Sequence, residues 1–377
     1  MKYEVVVVGA GPTGSTAAKF LADKDVNVLL LDKKKFPRDK ICGGSISSKI
    51  LQDFNYLKNK NELFECTSKG GFVYSPSSKN VVKFGNDRSP SIMVLRDKFD
   101  QGLVNLSVDA GADFMDENGV KDVKILKDRA EVILEDGTKV ETEFIIGADG
   151  VMGTVAKKTG LHQKWAPDEI ATCVISEFNV GEDIVEDFYT EKRFKHIHLR
   201  FGGMYGYAWV FPKKEHINIG LGEIRSKSKS NINLRDLFKE YIKMLKKDSI
   251  VPDNLKIGKL RGWPLPLKLP LKKCYADRVI LCGDAAGFVN PIDGGGIRYG
   301  MLSGKIAAEV ISWGVKVNKL TLSGTSQTYL SKYQKECKRA FGNEFKINLL
   351  IRNFVNMTPE LTIKIASGKI FSRILYQ

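Results

Sequence analysis

The sequence is poor in residues that bind transition metals. Its 377 residues include only four histidines, and none of its six cysteines forms a C-x-x-C pair or falls into metal-ligand spacing. His196 and His198 share one face of a predicted strand, but the sequence offers no third ligand nearby. We therefore expect no metal site, and we interpret the cysteines as reduced thiols of the kind found in cytosolic proteins.

Long apolar runs are also missing. No stretch reaches the roughly 18 uninterrupted apolar residues that a membrane-spanning helix needs. The strand-like segment EVVVVGAG begins at residue 4, which leaves no room before it for a secretory signal. We expect a cytoplasmic protein whose contact with a membrane is peripheral.

Acidic residues are outnumbered by basic ones. The chain has 44 Asp and Glu against 59 Lys and Arg, which gives a net charge of +15. This charge favours anionic partners such as phospholipid headgroups, a phosphorylated substrate or an acidic redox protein, although a lysine-rich proteome would produce the same balance. The sequence has no basic and aromatic array typical of nucleic-acid binding, so we expect no nucleic-acid partner.

The N-terminal segment has the pattern of a dinucleotide-binding βαβ unit. Residues 3–35, YEVVVVGAGPTGSTAAKFLADKDVNVLLLDKKK, form a predicted strand, glycine turn, helix and second strand. Gly9 allows the sharp turn, Gly11 allows the backbone to approach a pyrophosphate, and Gly14 allows the helix to pack on the strand. Asp32 ends the second strand about 20 residues later, where an acidic residue binds the ribose 2′-OH.

Two further glycine motifs follow in the chain. EFIIGADGVMGT spans residues 143–154, and DRVILCGDAAGFVNPIDGGGIRYGM spans residues 277–301. With these three ordered motifs, the sequence resembles the large flavoprotein family that includes the aromatic hydroxylases and the geranylgeranyl reductases. In that family the first motif binds the ADP half of FAD. The aspartate of "GD", here Asp284, hydrogen-bonds the ribityl chain, and the "GGG" helix N-terminus faces the flavin pyrimidine ring.

The resemblance implies FAD as the cofactor. It places Arg96 of LRDKFD where the family has an arginine that helps to hold FAD, and Val120 where the backbone contacts adenine. The residues assigned to FAD on these grounds are Gly9, Gly11, Pro12, Thr13, Gly14, Asp32, Lys33, Cys42, Gly43, Gly44, Arg96, Val120, Asp149, Gly150, Gly283, Asp284, Pro291, Gly294, Gly295, Gly296 and Ile297.

One departure from the family concerns the nicotinamide cofactor. Gly153 and Ala156 stand where the family often has a serine and an arginine after "GADG". The sequence also lacks a second G-x-G-x-x-G between a strand and a helix. We therefore expect no stably bound NADPH, while transient docking of NADPH stays open.

Residues 37–44, PRDKICGG, combine a thiol with two glycines. Gly43 and Gly44 let the backbone pass close to a flat ring, which places Cys42 near the isoalloxazine. A "CGG" element after "P-x-x-K" is typical of the geranylgeranyl reductases. We expect Cys42 to shape the flavin site or supply a proton; the alternative is a small buried hydrophobic residue.

The segment YAWVFPKKEHINIGLG, residues 207–222, resembles the Y-x-W-x-F-P signature of the same reductases. Tyr207, Trp209 and Phe211 alternate, so on a strand they share one face, which would bind an isoprenoid chain or pack on a core. Tyr207 and Trp209 could stabilise positive charge on an alkene carbon by cation–π contact. The proton donor stays open among Tyr207, Cys42 and a bound water. The expected catalytic residues are Cys42, Tyr207 and Trp209.

Length and composition predict about two globular lobes. The expected fold class is α/β, with a Rossmann-like FAD-binding domain interleaved with an antiparallel-sheet substrate domain and followed by a C-terminal helical tail. The predicted domains are residues 1–75, 91–165 and 260–325 for FAD, residues 166–259 for substrate, to which 76–90 can be added, and residues 326–377 for the helical segment.

Three basic segments have apolar residues at helical spacing. They are NLRDLFKEYIKMLKK at 233–247, FKINLLIRNFVNM at 345–357 and LTIKIASGKIFSRILYQ at 361–377. Such helices either cover a sheet or contact an anionic membrane surface.

The leading hypothesis is FAD-dependent reduction of geranylgeranyl double bonds on archaeal-type membrane lipids by hydride transfer from reduced flavin. The implied partners are an isoprenoid lipid substrate and an electron donor such as ferredoxin or NADPH. The alternative is a flavin-dependent monooxygenase of the aromatic-hydroxylase type. A third possibility, a non-catalytic nucleic-acid-binding flavoprotein, has no supporting motif.

Overall fold

A computed structural model describes residues 1–85, 90–228, 233–318 and 326–367. The strands are β1 (Lys2–Val8), β2 (Val28–Leu31), β3 (Ser45–Ser47), β4 (Cys66–Ser68), β5 (Gly71–Tyr74), β6 (Val81–Phe84), β7 (Ser91–Met93), β8 (Asp113–Met115), β9 (Val120–Ile125), β10 (Ala130–Leu134), β11 (Lys139–Gly147), β12 (Ile170–Asn179), β13 (Lys195–Leu199), β14 (Gly206–Pro212), β15 (His216–Glu223), β16 (Arg261–Pro266), β17 (Tyr275–Ala276) and β18 (Val279–Leu281). The α-helices are α1 (Pro12–Ala22), α2 (Ile50–Asp53), α3 (Arg96–Asp109), α4 (Thr154–Lys158), α5 (Glu182–Tyr189), α6 (Leu234–Lys247), α7 (Ile297–Asn318), α8 (Ser326–Cys337), α9 (Asn343–Met357) and α10 (Pro359–Ala366).

The chain forms two compact units. The first unit contains Met1–Asp39, Asp97–Ala166 and Pro266–Leu349, and the second contains Lys40–Arg96, Pro167–Leu265 and Leu350–Gln377. Each unit therefore draws on three separate stretches of sequence, as expected for an interleaved chain.

The first unit is built on a sheet with the strand order β17-β18-β11-β1-β2-β8, and the β9–β10 hairpin extends from β11. Strand β1 pairs in parallel with both β11 and β2. Its residues Val5 to Val8 are buried, which fits a β-branched run that is covered on both faces. Helices α1 and α7 pack against each other over this sheet. The βαβ unit predicted for residues 3–35 forms as expected.

The second unit contains a seven-stranded sheet with the order β16-β12-β15-β14-β13-β5-β6 and a three-stranded sheet with the order β3-β7-β4. Strands β12, β15, β14 and β13 pair antiparallel in succession. Helix α6 buries Phe238, Tyr241 and Leu245 in a cluster with Ala208 and Val210 of β14. For the segment at 233–247, the sheet-covering alternative is therefore the observed one.

These units divide the chain differently from the predicted domains, and the two longest differences involve residues 40–75 and the C-terminal segment. Residues 40–75, assigned by sequence to the FAD-binding domain, lie in the second unit because β4 pairs with β7 and β5 pairs with β13. The predicted helical segment 326–377 is split after Leu349, since α8 packs on β17 and β18 while α10 packs on β6. Part of that segment, residues 368–377, lies outside the described residues.

Candidate functional site

The first two glycine motifs meet at the carboxyl end of the parallel sheet in the first unit. Gly9 has φ +103°, and a Cβ placed on it would lie 2.4 Å from the carbonyl oxygen of Ala148. A Cβ on Gly14 would lie 1.8 Å from the carbonyl oxygen of Gly9. Both positions therefore need glycine because the backbones of β1, α1 and the turn after β11 approach one another too closely for a side chain.

The third glycine motif packs against Thr13, in the first turn of α1. A Cβ on Gly283 would lie 2.5 Å from Thr13 Oγ1, and one on Gly300 would lie 2.4 Å from the same atom. A Cβ on Gly304, one turn further along α7, would lie 2.4 Å from the Thr13 carbonyl oxygen. The glycines of the third motif thus let α7 pack directly on the first turn of α1, a contact that sequence reasoning missed.

Asp32 lies at the end of β2, where a ribose ligand is expected. Its Oδ2 accepts the N–H of Ala10 at 2.9 Å, and its Oδ1 accepts the N–H of Lys34 at 2.9 Å. Arg38 pairs with both Asp32 and the buried Asp100, at 3.7 Å and 3.0 Å. A carboxylate has about four acceptor positions, so Asp32 can still accept a ribose hydroxyl. Arg38 was also missed by the sequence prediction.

The loop before α7 places a carboxylate beside the row of glycines. Gly294 donates its N–H to the Asn290 carbonyl at 2.9 Å, and Asn290 donates its own N–H to the Gly295 carbonyl at 3.0 Å. A Cβ on Gly296 would lie 3.0 Å from Oδ1 of Asp284. The "GD" and "GGG" elements, predicted to face the ribityl chain and the flavin ring, are therefore neighbours in the first unit.

Asp149, in the turn after β11, stabilises the N-terminus of α4. Its Oδ2 accepts the N–H groups of Thr154 at 2.6 Å and Val155 at 2.9 Å, so it caps α4. Burial raises the pKa of Asp149, and these hydrogen bonds oppose the rise. A Cβ on Gly153 would lie 2.2 Å from Asp149 Oδ1, so a side chain at position 153 would displace the capping carboxylate.

The other residues assigned to FAD fall into two groups. The first group lies at open positions. Lys33 is exposed, and a Cβ placed on Gly150 would meet no atom within 4 Å. The second group lies at or just before the start of a helix or strand. Pro12 is the first residue of α1, Val120 of β9 and Ile297 of α7, and the buried Pro291 precedes α7. Arg96 is the first residue of α3 and the last residue of the stretch Lys40–Arg96 of the second unit.

In the second unit, the three predicted aromatic residues share one face of β14. The ring centroids of Tyr207 and Trp209 are 5.6 Å apart, and those of Trp209 and Phe211 are 5.8 Å apart. Ala208 and Val210 point to the opposite face, which packs against α6. The aromatic face is therefore separate from the core that α6 covers. Tyr207 and Phe211 are half-buried, whereas Trp209 is only 6% exposed.

The CGG segment crosses this aromatic face. A Cβ on Gly43 would lie 3.1 Å from the Phe211 ring and 3.5 Å from Nε1 of Trp209. The half-buried Cys42 accepts the N–H of Gly44 on its Sγ at 3.3 Å. A side chain at position 43 would be tight against the rings because the loop backbone lies directly on them. The two sequence signals that suggested the reductases therefore form one structure.

A buried polar network lies beneath this loop and was missed by the sequence prediction. Asn218 on β15 accepts the indole N–H of Trp209 at 2.8 Å, and its amide donates to the Cys42 carbonyl at 3.2 Å and to Glu177 Oε2 at 2.7 Å. The buried Lys213 donates to the same Glu177 oxygen at 2.8 Å. Asn218 thus joins the aromatic face to the loop that crosses it. Its only sequence signal is one amide inside the apolar run HINIGLG.

We expect Asn218→Leu to destabilise the second unit. The change leaves the Trp209 N–H and the Cys42 carbonyl without their partner, and each buried unsatisfied group costs roughly 1–3 kcal/mol. Urea unfolding followed by tryptophan fluorescence should show an earlier transition, while FAD stays bound. Asn179→Leu, at an exposed position on β12, is the matched control. An unfolding curve for Asn218→Leu that overlays the control would show that the network contributes no stability.

The histidine pair belongs to the core. His196 Nδ1 lies 2.8 Å from the Tyr74 hydroxyl, and His198 Nδ1 lies 2.8 Å from the Tyr241 hydroxyl. Burial lowers the pKa of His196 to about 4 and that of His198 to about 3, so both are neutral at physiological pH. In the described part of the chain, no group of three or more His, Cys, Asp or Glu is placed to hold a metal ion.

The chain is similar to several known proteins. A family model described as "FAD binding domain" matches residues 2–338. The digeranylgeranylglycerophospholipid reductase of Methanocaldococcus jannaschii is 33% identical over 89% of this chain and 82% of that protein. Digeranylgeranylglycerophospholipid reductase 1 of Methanopyrus kandleri is 30% identical over 97% of this chain and 92% of that protein.

The chain belongs to the geranylgeranyl reductase family. A solved structure of a geranylgeranyl bacteriochlorophyll reductase-like protein from Thermoplasma acidophilum has the same fold, with a TM-score of 0.86, 24% identity, and coverage of 98% of this chain and 92% of that chain. The predicted family, fold class and FAD cofactor are confirmed, and the protein is an FAD-dependent oxidoreductase. Across the described residues of this family member, no helix has the length and apolar character needed to cross a membrane.

The residues of the first unit fit the cofactor of this family. Helix α1 begins after Gly11 with no acidic side chain in its first turn, and no described side chain caps it. Its free N–H groups and dipole favour a phosphate. A Cβ on Gly11 would meet only Arg38 Nη2, at 3.5 Å, so the protein itself leaves room for a side chain there. Packing within the protein therefore does not require glycine at position 11, and the approach of a pyrophosphate to this backbone stays a prediction.

Proposed function

We propose that this geranylgeranyl reductase family member reduces isolated carbon–carbon double bonds in the geranylgeranyl chains of archaeal-type phospholipids. The observation that carries the proposal is the aromatic face of β14 with the CGG loop laid across it, because it combines an apolar wall for a prenyl chain with a thiol at its edge. The names of the curated relatives support the same substrate class.

The chemistry asks two things of the protein. Reduced FAD supplies a hydride equivalent to one alkene carbon. An isolated alkene is electron-rich, so a proton must reach the other carbon in the same step, and positive charge develops on the carbon that accepts the hydride. Tyr207 and Trp209 are proposed to stabilise that charge through their ring faces. The proton comes from Cys42, Tyr207 or a water that these residues hold.

For the cofactor, we propose the residues that the sequence motifs assigned. In the first unit, Gly11 and the first turn of α1 bind the pyrophosphate, Asp32 binds the ribose, and Asp284 with the Gly294–Gly296 row binds the ribityl and pyrimidine portions. Cys42 and its two glycines are proposed, from the reductase signature, to lie against the flavin ring. Ferredoxin or transiently docked NADPH is the proposed electron donor, and membrane association is proposed to be peripheral.

Oxygen consumption distinguishes this function from that of a flavin monooxygenase. The protein should reduce a detergent-dispersed digeranylgeranyl phospholipid in an anaerobic cuvette when a chemical reductant supplies electrons. In an aerated cuvette, added phospholipid substrate should not increase oxygen uptake. Oxygen uptake stoichiometric with substrate, together with a product 16 mass units heavier, would instead identify a monooxygenase.

A further inference from the structure

Helix α9 has its polar side turned toward the protein in the second unit. Asn356 accepts a hydrogen bond from Arg200 on its carbonyl at 2.7 Å, and Asn353 Oδ1 accepts one from the Tyr205 hydroxyl at 3.4 Å. Arg352 and Asn356 are buried. A helix that merely covers a core has the opposite orientation, with its apolar residues inward.

The apolar side of the same helix faces outward and continues along α10. We call this set the outer stripe: Leu350, Ile351, Phe354, Met357, Leu361 and Ile365. Leu350 is 69% exposed, Phe354 60% and Met357 79%. Single exposed apolar residues are ordinary on a protein surface, but six of them on two successive helices mark a surface that binds something apolar.

The charges beside the outer stripe indicate what it binds. Glu360, the acidic residue of α10, is turned inward and accepts hydrogen bonds from Ser75, Ser77 and Asn80. Lys364 on α10 is exposed, as is Lys346 one turn before Leu350 on α9. The stripe is therefore apolar with basic residues at its margin. This arrangement is that of a helix lying in the interface of an anionic leaflet.

We infer that the outer stripe inserts into the surface of a membrane containing anionic phospholipids, and that Lys364 and Lys346 contact the headgroups. The inference rests on the proposed function, because insertion of the outer stripe would bring the protein to the bilayer that holds its proposed phospholipid substrate. It extends the sequence expectation, which left open whether this segment covers a sheet or contacts a membrane.

The test compares vesicle binding by two matched variants of the full-length, FAD-loaded protein. Phe354→Gln removes one aromatic residue of the outer stripe, and Phe188→Gln removes an exposed aromatic residue of α5 in the same unit. With sedimented phosphatidylglycerol vesicles, we expect Phe354→Gln to lower the partition coefficient about tenfold and Phe188→Gln to leave it unchanged. Leu350→Gln combined with Phe354→Gln should lower it further. Equal binding by wild type and the double variant would overturn the inference.

Depth measurements and oligomeric state give a second, independent readout. Phe354→Trp adds a fluorescent side chain to the outer stripe, and vesicles of brominated phosphatidylglycerol should quench this added fluorescence. The fluorescence added by Phe188→Trp should not be quenched by the same vesicles. An unquenched Trp at 354 would mean that the stripe is covered by something other than lipid. A wild-type dimer that the double variant converts into a monomer would identify a second copy of the chain as the occupant and would also overturn the inference.

The outcome is separable from that of the proposed function. If the wild-type protein reduces detergent-dispersed lipid but does not bind phosphatidylglycerol vesicles, the membrane surface is refuted and the reductase function stands. If the stripe variants lose vesicle binding as expected but no form reduces the lipid, the surface stands and the proposed substrate is refuted.

Discussion

Gly11→Ala is expected to yield a folded protein that has lost its FAD. Gly11 has φ −74° and ψ −177°, a conformation that alanine adopts freely. The added methyl group would meet only the end of the flexible Arg38 side chain, at 3.5 Å, so the protein without cofactor should barely change. The methyl group would, however, occupy the space through which the pyrophosphate approaches the backbone. We expect FAD affinity to fall by about two orders of magnitude or more, equivalent to roughly 3 kcal/mol.

Two other glycines make this prediction specific. Gly14→Ala should damage the fold itself, because its Cβ would lie 1.8 Å from the Gly9 carbonyl oxygen. Gly258→Ala should change nothing, because its nearest neighbour would be Ser176 Oγ at 3.8 Å. Circular dichroism of the apoproteins and fluorescence titration with FAD separate the three cases. Full FAD binding by Gly11→Ala would contradict the assignment of the α1 N-terminus to the pyrophosphate.

Trp209→Ala should lower alkene reduction by a factor of ten or more while FAD remains bound. Each factor of ten corresponds to about 1.4 kcal/mol of barrier. The indole is the central ring of the aromatic face, and its N–H is held by Asn218 at 2.8 Å. Its loss removes both a ring that can stabilise positive charge and a support for the CGG loop. The measurement is single-turnover reduction of a detergent-dispersed prenyl lipid by pre-reduced protein.

Because Trp209 is also well packed, a control must separate chemistry from stability. Truncating a buried tryptophan to alanine typically costs 3–5 kcal/mol, so the variant is compared below its own unfolding temperature. Trp209→Phe keeps an aromatic ring but loses the hydrogen bond to Asn218, and it should retain more of the rate than the alanine variant. Unchanged turnover in folded, FAD-loaded Trp209→Ala would assign the aromatic face to packing instead.

The sequence predicted those features of the fold that depend on residues close together in the chain. The run Val5–Val8, the turn glycines and the acidic end of β2 are consecutive features, so their spacing alone predicts the βαβ unit. Alternation places Tyr207, Trp209 and Phe211 on one face, because a strand repeats every two residues. The observed contacts between Thr13 and the third glycine motif could not be predicted, since they depend on how α7 packs on α1.

What the sequence concealed are pairings between distant segments. Asn218 and the Cys42 carbonyl are 176 positions apart, and nothing local to either one indicates the hydrogen bond. The orientation of α9 was hidden for a related reason. Periodicity shows that a helix has a polar and an apolar side, but the partners that turn its polar side inward, Arg200 and Tyr205, come from another part of the chain.

Mass measurement of the lipid after anaerobic incubation tests the proposed reduction most directly. The FAD-loaded protein would be reduced with dithionite and given a digeranylgeranyl phospholipid in detergent, with boiled protein as the control. A geranylgeranyl reductase should yield products heavier by successive gains of two hydrogens, with each gain marking one reduced double bond. A lipid of unchanged mass, recovered beside flavin that stays fully reduced until air is admitted, would contradict the proposed reduction.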